Sequence, residues 1–228
     1  TKYPLVDRRL QPALAILDSD LLDELPPGLI ADTGFDVLTH AVEGYTASNA
    51  GTIPDLLAQD AFRTAFACLP ASYAGDRSVR LRLHMASTLA GIAFSRSGLG
   101  LCHAMAHVLG GRFHIPHGRL NAILLPAVIS GNAPAAQAKY ARLARAAGLG
   151  GSADTVALRN LKNGLIRLRK DLGLPQTLSQ AGAPPAQVWA ATGEIVEAVL
   201  ADPCCKTNPV PVEDYLVRRV LEEVTGNF

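Results

Sequence analysis

Charge is scarce in this chain. Only 18% of its 228 residues are Asp, Glu, Lys or Arg, and they nearly cancel to a net charge of +1. The basic residues are scattered, so the stripe or patch that a nucleic-acid partner needs is missing. Long apolar runs are missing too: no run approaches the ~18 residues of a membrane-spanning helix. The chain is nevertheless 49% hydrophobic, ample for a core in one large domain or two small ones. Its four cysteines, Cys68, Cys102, Cys204 and Cys205, form no C-x-x-C pair. That excludes a zinc ribbon and a disulfide framework and makes a reducing cytoplasm the expected compartment. No secretory or transit segment opens the chain. It begins at Thr1 rather than Met, as a processed, trimmed or partial chain would.

β-structure is also in short supply. "PALAILDSDL" (residues 12–21) is the one strand-like run, and Pro26 and Pro27 read as closing a short helix after it. Beyond it, apolar residues recur at three- and four-residue spacing, broken at Gly and Pro, through about nine helices. Strand–helix alternation is absent, so the expected class is all-α. "SVRLRLHMASTLAGIAFSRS" is apolar on nearly every side after Met85 and predicts a helix buried around its circumference. Short basic runs, "RSVRLRLH" and "RLRK", read as solvated helix faces. "AGLGGSAD" (residues 147–154) is a candidate boundary between helical subdomains 1–150 and 151–228.

What is abundant is histidine in one place. "GLGLCHAMAHVLGGRFHIPHGRLNA" holds four of the six histidines: His103, His107, His114 and His117. His103 and His107, four apart, share one helical face. His117 lies between Pro116 and Gly118, where a tight turn would bring its imidazole opposite that face. Upstream, "DVLTH" sets Asp36 four residues before His40. A carboxylate with neutral imidazoles suits a borderline divalent ion such as Fe²⁺ or Zn²⁺, although such i,i+4 pairs also arise by chance on helices. The zinc-protease H-E-x-x-H, the His-Asp pair of helical phosphohydrolases and the G-x-S-x-G of serine hydrolases are absent. "GLGG" and "GLGLCH" follow no strand of a βαβ unit and are not dinucleotide fingerprints.

Three stretches, "TGFDVLTHAVEGY", "LAGIAFSRSGLGLCHAMAHVLGGRFHIPHGRLNAILLP" and "DPCCKTNP", together resemble the iron-containing (group III) alcohol dehydrogenases. The resemblance runs from about Tyr3 to the C-terminus. It implies a two-domain enzyme with an N-terminal Rossmann-like domain for NAD(P) and a C-terminal helical domain, of the dehydroquinate synthase-like type, for the metal. This sequence looks like the second domain alone, with "ALAILD" as the piece that joins the N-terminal sheet. The resemblance places the metal ligands on Asp36, His40, His103 and His117. It places a non-ligand histidine beside the nicotinamide on His107, a pocket aromatic on Phe94 and a residue near the substrate on Cys204. His84 and His114 match no functional position and read as structural or surface residues. Glycerol dehydrogenase and dehydroquinate synthase share the architecture but bind zinc with fewer histidines, and "HIPHGRLNAILLP" favours the alcohol dehydrogenase branch. Gly44, where the family commonly has Ala, and Val210, where it often has Arg, depart from the pattern without touching a ligand position.

The chemistry implied is interconversion of a small aliphatic alcohol and its aldehyde by hydride transfer to NAD(P). The metal acts as Lewis acid, His107 as proton relay, and Leu99, Leu101 and Phe94 as an apolar wall. Without the nucleotide-binding domain the chain is expected to be inactive, and its uncovered apolar face favours a homo-oligomer. Two other readings stay open at this level: a metal-dependent hydrolase and a non-catalytic helical binding module.

Overall fold

Two prolines start the first long helix. Pro26 is its N-cap and Pro27 its first residue, where a missing N–H costs nothing, and α1 then runs Pro27–Thr46. The prolines thus open a helix rather than close one; among the described residues before them lie only two 3-10 turns, Arg8–Leu10 and Asp20–Leu22. In this computed structural model the described residues are 7–226. Among them nine α-helices and no strand occur: α1, then α2 (Thr52–Tyr73), α3 (Arg80–Ser97), α4 (Leu101–Phe113), α5 (His117–Ala146), α6 (Asp154–Asp171), α7 (Pro185–Ala190), α8 (Thr192–Leu200) and α9 (Asp214–Thr225). The all-α expectation holds.

The strand expected at residues 12–21 does not form. Leu14 and Ile16 stand 75% and 81% exposed, because a strand needs a ladder partner and the described residues offer none. No helix among the described residues is long and apolar enough to cross a membrane.

The centre of the molecule is α5, which packs against α1, α4, α6 and α9 and buries Leu120, Ile123, Leu124, Leu125, Val128 and Ile129. Pro126 interrupts its hydrogen-bond ladder, since the carbonyl four residues earlier loses its N–H donor. Arg169 of α6 fills that vacancy: its Nη1 donates to the Ala122 carbonyl at 3.0 Å and to that of Ile123 at 3.1 Å. This arginine, in "RLRK", is only 7% exposed, and Arg80, in "RSVRLRLH", only 6%. Both runs were expected to be solvated, and each hides one arginine whose guanidinium serves backbone carbonyls (Leu22 in the case of Arg80). The 147–154 stretch is the turn from α5 into α6, and buried residues on either side of it belong to one core.

α3 also departs from expectation. Apart from Arg80 at its start, its buried positions Ala86, Ala90, Ala93 and Ser97 are small, which lets α1 and α2 pack closely on it. The larger Leu81, Met85 and Ile92 are 48%, 41% and 49% exposed. The helix buries one face, not its whole circumference.

Candidate metal centre

Three helices bring the site together. α1 carries Asp36, His40 and Glu43 at i, i+4 and i+7, one face by helical periodicity. α4 carries His103 and His107, and α5 opens at His117, with Asn121 one turn on. Close approach of α1 and α5 sets their register. A Cβ on Gly118 would meet the Asp32 carbonyl oxygen at 1.9 Å, so only glycine lets the two backbones touch there. Arg119 then clamps the contact, donating to both Asp32 carboxylate oxygens at 3.2 and 2.9 Å. Gly118 therefore serves packing within a helix, not the tight turn expected of it; Pro116 caps α5 and His117 is its first residue.

Asp36 Oδ1 lies 3.5 Å from His103 Nε2, 3.5 Å from His117 Nε2 and 3.8 Å from His40 Nε2. The ring of His40 stacks at 4.5 Å on that of His103 and, on its other side, at 4.5 Å on Phe94. The Asn121 amide nitrogen sits among the same atoms, 2.6 Å from Asp36 Oδ1 and 3.4 and 3.3 Å from the two histidine nitrogens. His103 is 1% exposed, while Asp36, His40 and His117 remain partly open at 26%, 21% and 25%.

The donor set fits a divalent cation. Glu43 Oε2 lies 2.6 Å from His103 Nδ1. An ionised carboxylate can only accept, so the ring hydrogen is on Nδ1 and Nε2 of the neutral ring points a lone pair at the Asp36 oxygen. Lone pairs facing one another across 3.5 Å call for a donor or a positive charge among them; the Asn121 N–H meets part of that need at Asp36 Oδ1, and a positive charge would meet the rest. A proton is one solution: burial opposes charge on His103, but hydrogen bonds to Asp36 and Glu43 outweigh it and raise its pKa to about 9. Burial likewise pushes Asp36 up, yet the His103 hydrogen bond and the charges of His40, His103 and His117 hold it well below the usual carboxylate range. A four-coordinate ion of the Zn²⁺ or Fe²⁺ kind is the other solution, and one carboxylate with three imidazoles is its chemistry.

His107 lies beside this cluster rather than within it. Its ring stacks on His117 at 5.3 Å, and its Nδ1 is 2.9 Å from Asp202 Oδ2. Cys204 joins His107 and Asp202 in a separate group of potential donors; burial and the Asp202 charge push its thiol far up. The neighbouring Cys205 thiol is pushed up to about 12 for the same reasons. A cavity of about 350 Å³ adjoins the cluster, lined by Leu25, Leu29, Val37 and Leu83 together with Asp36 and His40. His84 lines it too, whereas Phe94 and Cys204 do not. Leu101 is fully buried in the core and forms no part of an open wall. His114 is exposed and ends α4 in the left-handed conformation, φ 56°.

Three polar residues of the site escaped the sequence reading. Glu43, 4% exposed, accepts from the Gly100 and Cys102 backbone N–H groups at 3.0 and 2.7 Å as well as from His103. It thus satisfies orphan donors at the N-terminus of α4 while orienting the His103 ring. Its signal was present, seven residues from Asp36 on the same face. Asn121 had one as well, four residues after His117. Asp202 opens the quoted "DPCCKTNP", but nothing in the sequence linked it to His107, 95 residues away.

With the geometry established, comparison with known proteins is direct. Residues 30–225 match the Fe-containing alcohol dehydrogenase family in its C-terminal part. The chain is 43% identical over 230 residues to the 1-propanol dehydrogenase of Citrobacter freundii, a match covering 98% of this chain and 62% of that protein. It is 38% identical over 221 residues to the NADPH-dependent butanol dehydrogenase of Clostridium saccharobutylicum, covering 97% and 57%. The solved iron-containing alcohol dehydrogenase of Thermococcus thioreducens superposes with a TM-score of 0.88 at 34% identity, over 96% of this chain and 56% of that one. The chain therefore spans less than two thirds of the length of these relatives. It belongs to the iron-containing alcohol dehydrogenase family.

Proposed function

We propose that residues 1–228 are one helical, metal- and substrate-binding domain of an NAD(P)-dependent alcohol dehydrogenase that interconverts a small aliphatic alcohol and its aldehyde. Asp36, His40, His103 and His117 are the ligands of a single Fe²⁺ or Zn²⁺. The observation that carries the reading is the convergence of three imidazole nitrogens within 3.5–3.8 Å of one Asp36 oxygen. A divalent cation held there supplies Lewis acidity, which lowers the pKa of an alcohol as it does that of water. His107, one helical turn from His103, takes the hydroxyl proton on its imidazole. Phe94, stacked on His40, fixes that ring and presents an apolar edge beside it, and Cys204, beside His107 and Asp202, borders the reacting end of the substrate as a neutral thiol. The apolar walls near Asp36 and His40 exclude water and favour uncharged aliphatic chains. The nicotinamide is assigned to the part of the relatives' length that this chain does not match.

Two measurements test this. Metal analysis after dialysis should find one equivalent of divalent ion in the chain and a large loss in His117→Ala and His103→Ala, because the remaining donors cannot close the shell. Full retention by both variants would sink the ligand assignment. Titration of NADH into the purified chain should give no saturable binding and no turnover of short alcohols. Positioning of the reactants is worth roughly 7–11 kcal/mol of barrier and is lost without the dinucleotide site. Micromolar binding with turnover would place that site within these residues.

A further inference from the structure

His107 has a carboxylate behind it that nothing in the ligand shell requires. Asp202 Oδ2 lies 2.9 Å from His107 Nδ1, and the other oxygen, Oδ1, accepts the Cys204 N–H at 2.9 Å. That second bond makes Asp202 the N-cap of the 3-10 turn Pro203–Thr207. The Asp202 backbone is fixed as well, its N–H donating to the Val199 carbonyl at 3.0 Å and its carbonyl accepting from Cys205 at 3.1 Å. The side chain is 9% exposed and that of His107 14%. Both oxygens are therefore directed, and the carboxylate cannot swing away from the ring.

An ionised carboxylate has only lone pairs to offer, so the ring nitrogen facing it must carry the hydrogen. Neutral imidazole has one N–H, and placing it on Nδ1 leaves Nε2 as the basic nitrogen. We propose that Asp202 is a positioning residue: it locks His107 in the Nδ1–H tautomer, with its ring stacked against His117, so that Nε2 is the atom that receives the alcohol proton. The transfer moves one proton from the hydroxyl to Nε2, and the imidazolium so formed keeps Nδ1–H on Asp202, whose negative charge stabilises it. The catalytic meaning rests on the alcohol dehydrogenase reading of the site; the tautomer does not. A carboxylate kept only to cap the 3-10 turn would have no effect on the ring, and this is what the experiment separates.

The test is nitrogen-15 correlation spectroscopy of the histidine rings in the full 228-residue chain, recorded zinc-loaded and zinc-free, with His107→Gln assigning the signal. The wild type should show His107 protonated at Nδ1. Asp202→Asn can still cap through its carbonyl oxygen but can turn an N–H towards the ring, and should move the tautomer ratio at least tenfold towards Nε2–H. Asp202→Ser can cap through its hydroxyl yet is too short to reach the ring, and should shift the ratio the same way while leaving the fold intact. An Nε2–H tautomer in the wild type, or an unchanged ratio in every folded variant, would overturn the proposal. So would loss of bound zinc in Asp202→Asn, which would put Asp202 in the metal shell. The wild-type measurement decides even if a variant fails to fold. An enzyme inert towards alcohols with the Nδ1–H signal intact would refute the functional reading and leave the positioning role standing.

Discussion

Two histidines of α4, one turn apart, use the same device in different settings. His103 faces Glu43 at 2.6 Å with side chains 1% and 4% exposed, while His107 faces Asp202 at 2.9 Å with 14% and 9%. The first carboxylate belongs to a 20-residue helix and also accepts backbone N–H groups at the start of α4. The second sits on a short 3-10 turn and accepts one backbone N–H there. The contrast teaches that one turn of helix changes what holds a ring: His103 is enclosed by a carboxylate that also ties down the start of α4, whereas His107 is directed by a carboxylate on a short turn. It also predicts that damage to the first pair spreads through the fold and damage to the second stays local.

The largest effect should come from Glu43→Ala. It removes a buried carboxylate from an imidazole and from the α4 N-terminus together, a loss of about 3–5 kcal/mol in stability. Metal affinity should fall by about 10–100-fold or more as the ligand loses its orienting partner. Urea unfolding and zinc titration read both, and near wild-type values would dissolve the contrast drawn between the two pairs.

Gly118→Ala comes next. The new methyl would meet the Asp32 carbonyl at 1.9 Å, forcing α5 away from α1 at a cost of roughly 1–3 kcal/mol. His117 should leave Asp36 and weaken metal binding, while the His107–Asp202 pair, which spans neither helix, should keep its ring tautomer. Loss of both together would mean that the site is one unit rather than two.

Arg169→Met sharpens the comparison from outside. It leaves the Ala122 carbonyl unpaired beside Pro126, which should cost about 1–3 kcal/mol with metal stoichiometry unchanged. A drop in stoichiometry would show that α5 is held in register by α6 rather than by Gly118 and Arg119.

The smallest effect concerns acid. Burial raises the Asp202 carboxyl, but the His107 hydrogen bond, the Cys204 N–H and the His107 charge together hold it below its ordinary value of 3.8. A group with a depressed folded pKa stabilises above its unfolded pKa and loses that contribution as pH falls through the folded one. Melting temperature should thus decline below about pH 4, and Asp202→Asn should flatten that decline slightly. An identical acid limb in the two proteins would contradict the assignment.

How much could be read from the sequence depends on distance along the chain. Asp36, His40 and Glu43 share a face because helical periodicity is local, so the first two were legible and the third had an equally legible signal. Asn121 follows His117 by the same rule. The strand-like 12–21 run forms no strand among the described residues because strand formation depends on a neighbouring strand, and a local apolar run supplies none. α3 was misread for a related reason: an apolar count cannot say that its alanines face inward and its larger side chains outward.

The sequence by itself determined the helical class, the helices that carry Asp36, His40 and His103, and the family, since these follow from short-range spacing and a long specific motif. Only the tertiary structure decided which of those faces meet. Glu43 reaches Gly100 across 57 residues and Asp202 reaches His107 across 95. The approach that sets His117 beside Asp36 depends on a missing Cβ at Gly118 against a backbone oxygen. Such contacts are fixed by how helices pack, and packing is a property of the whole core rather than of any window along the chain.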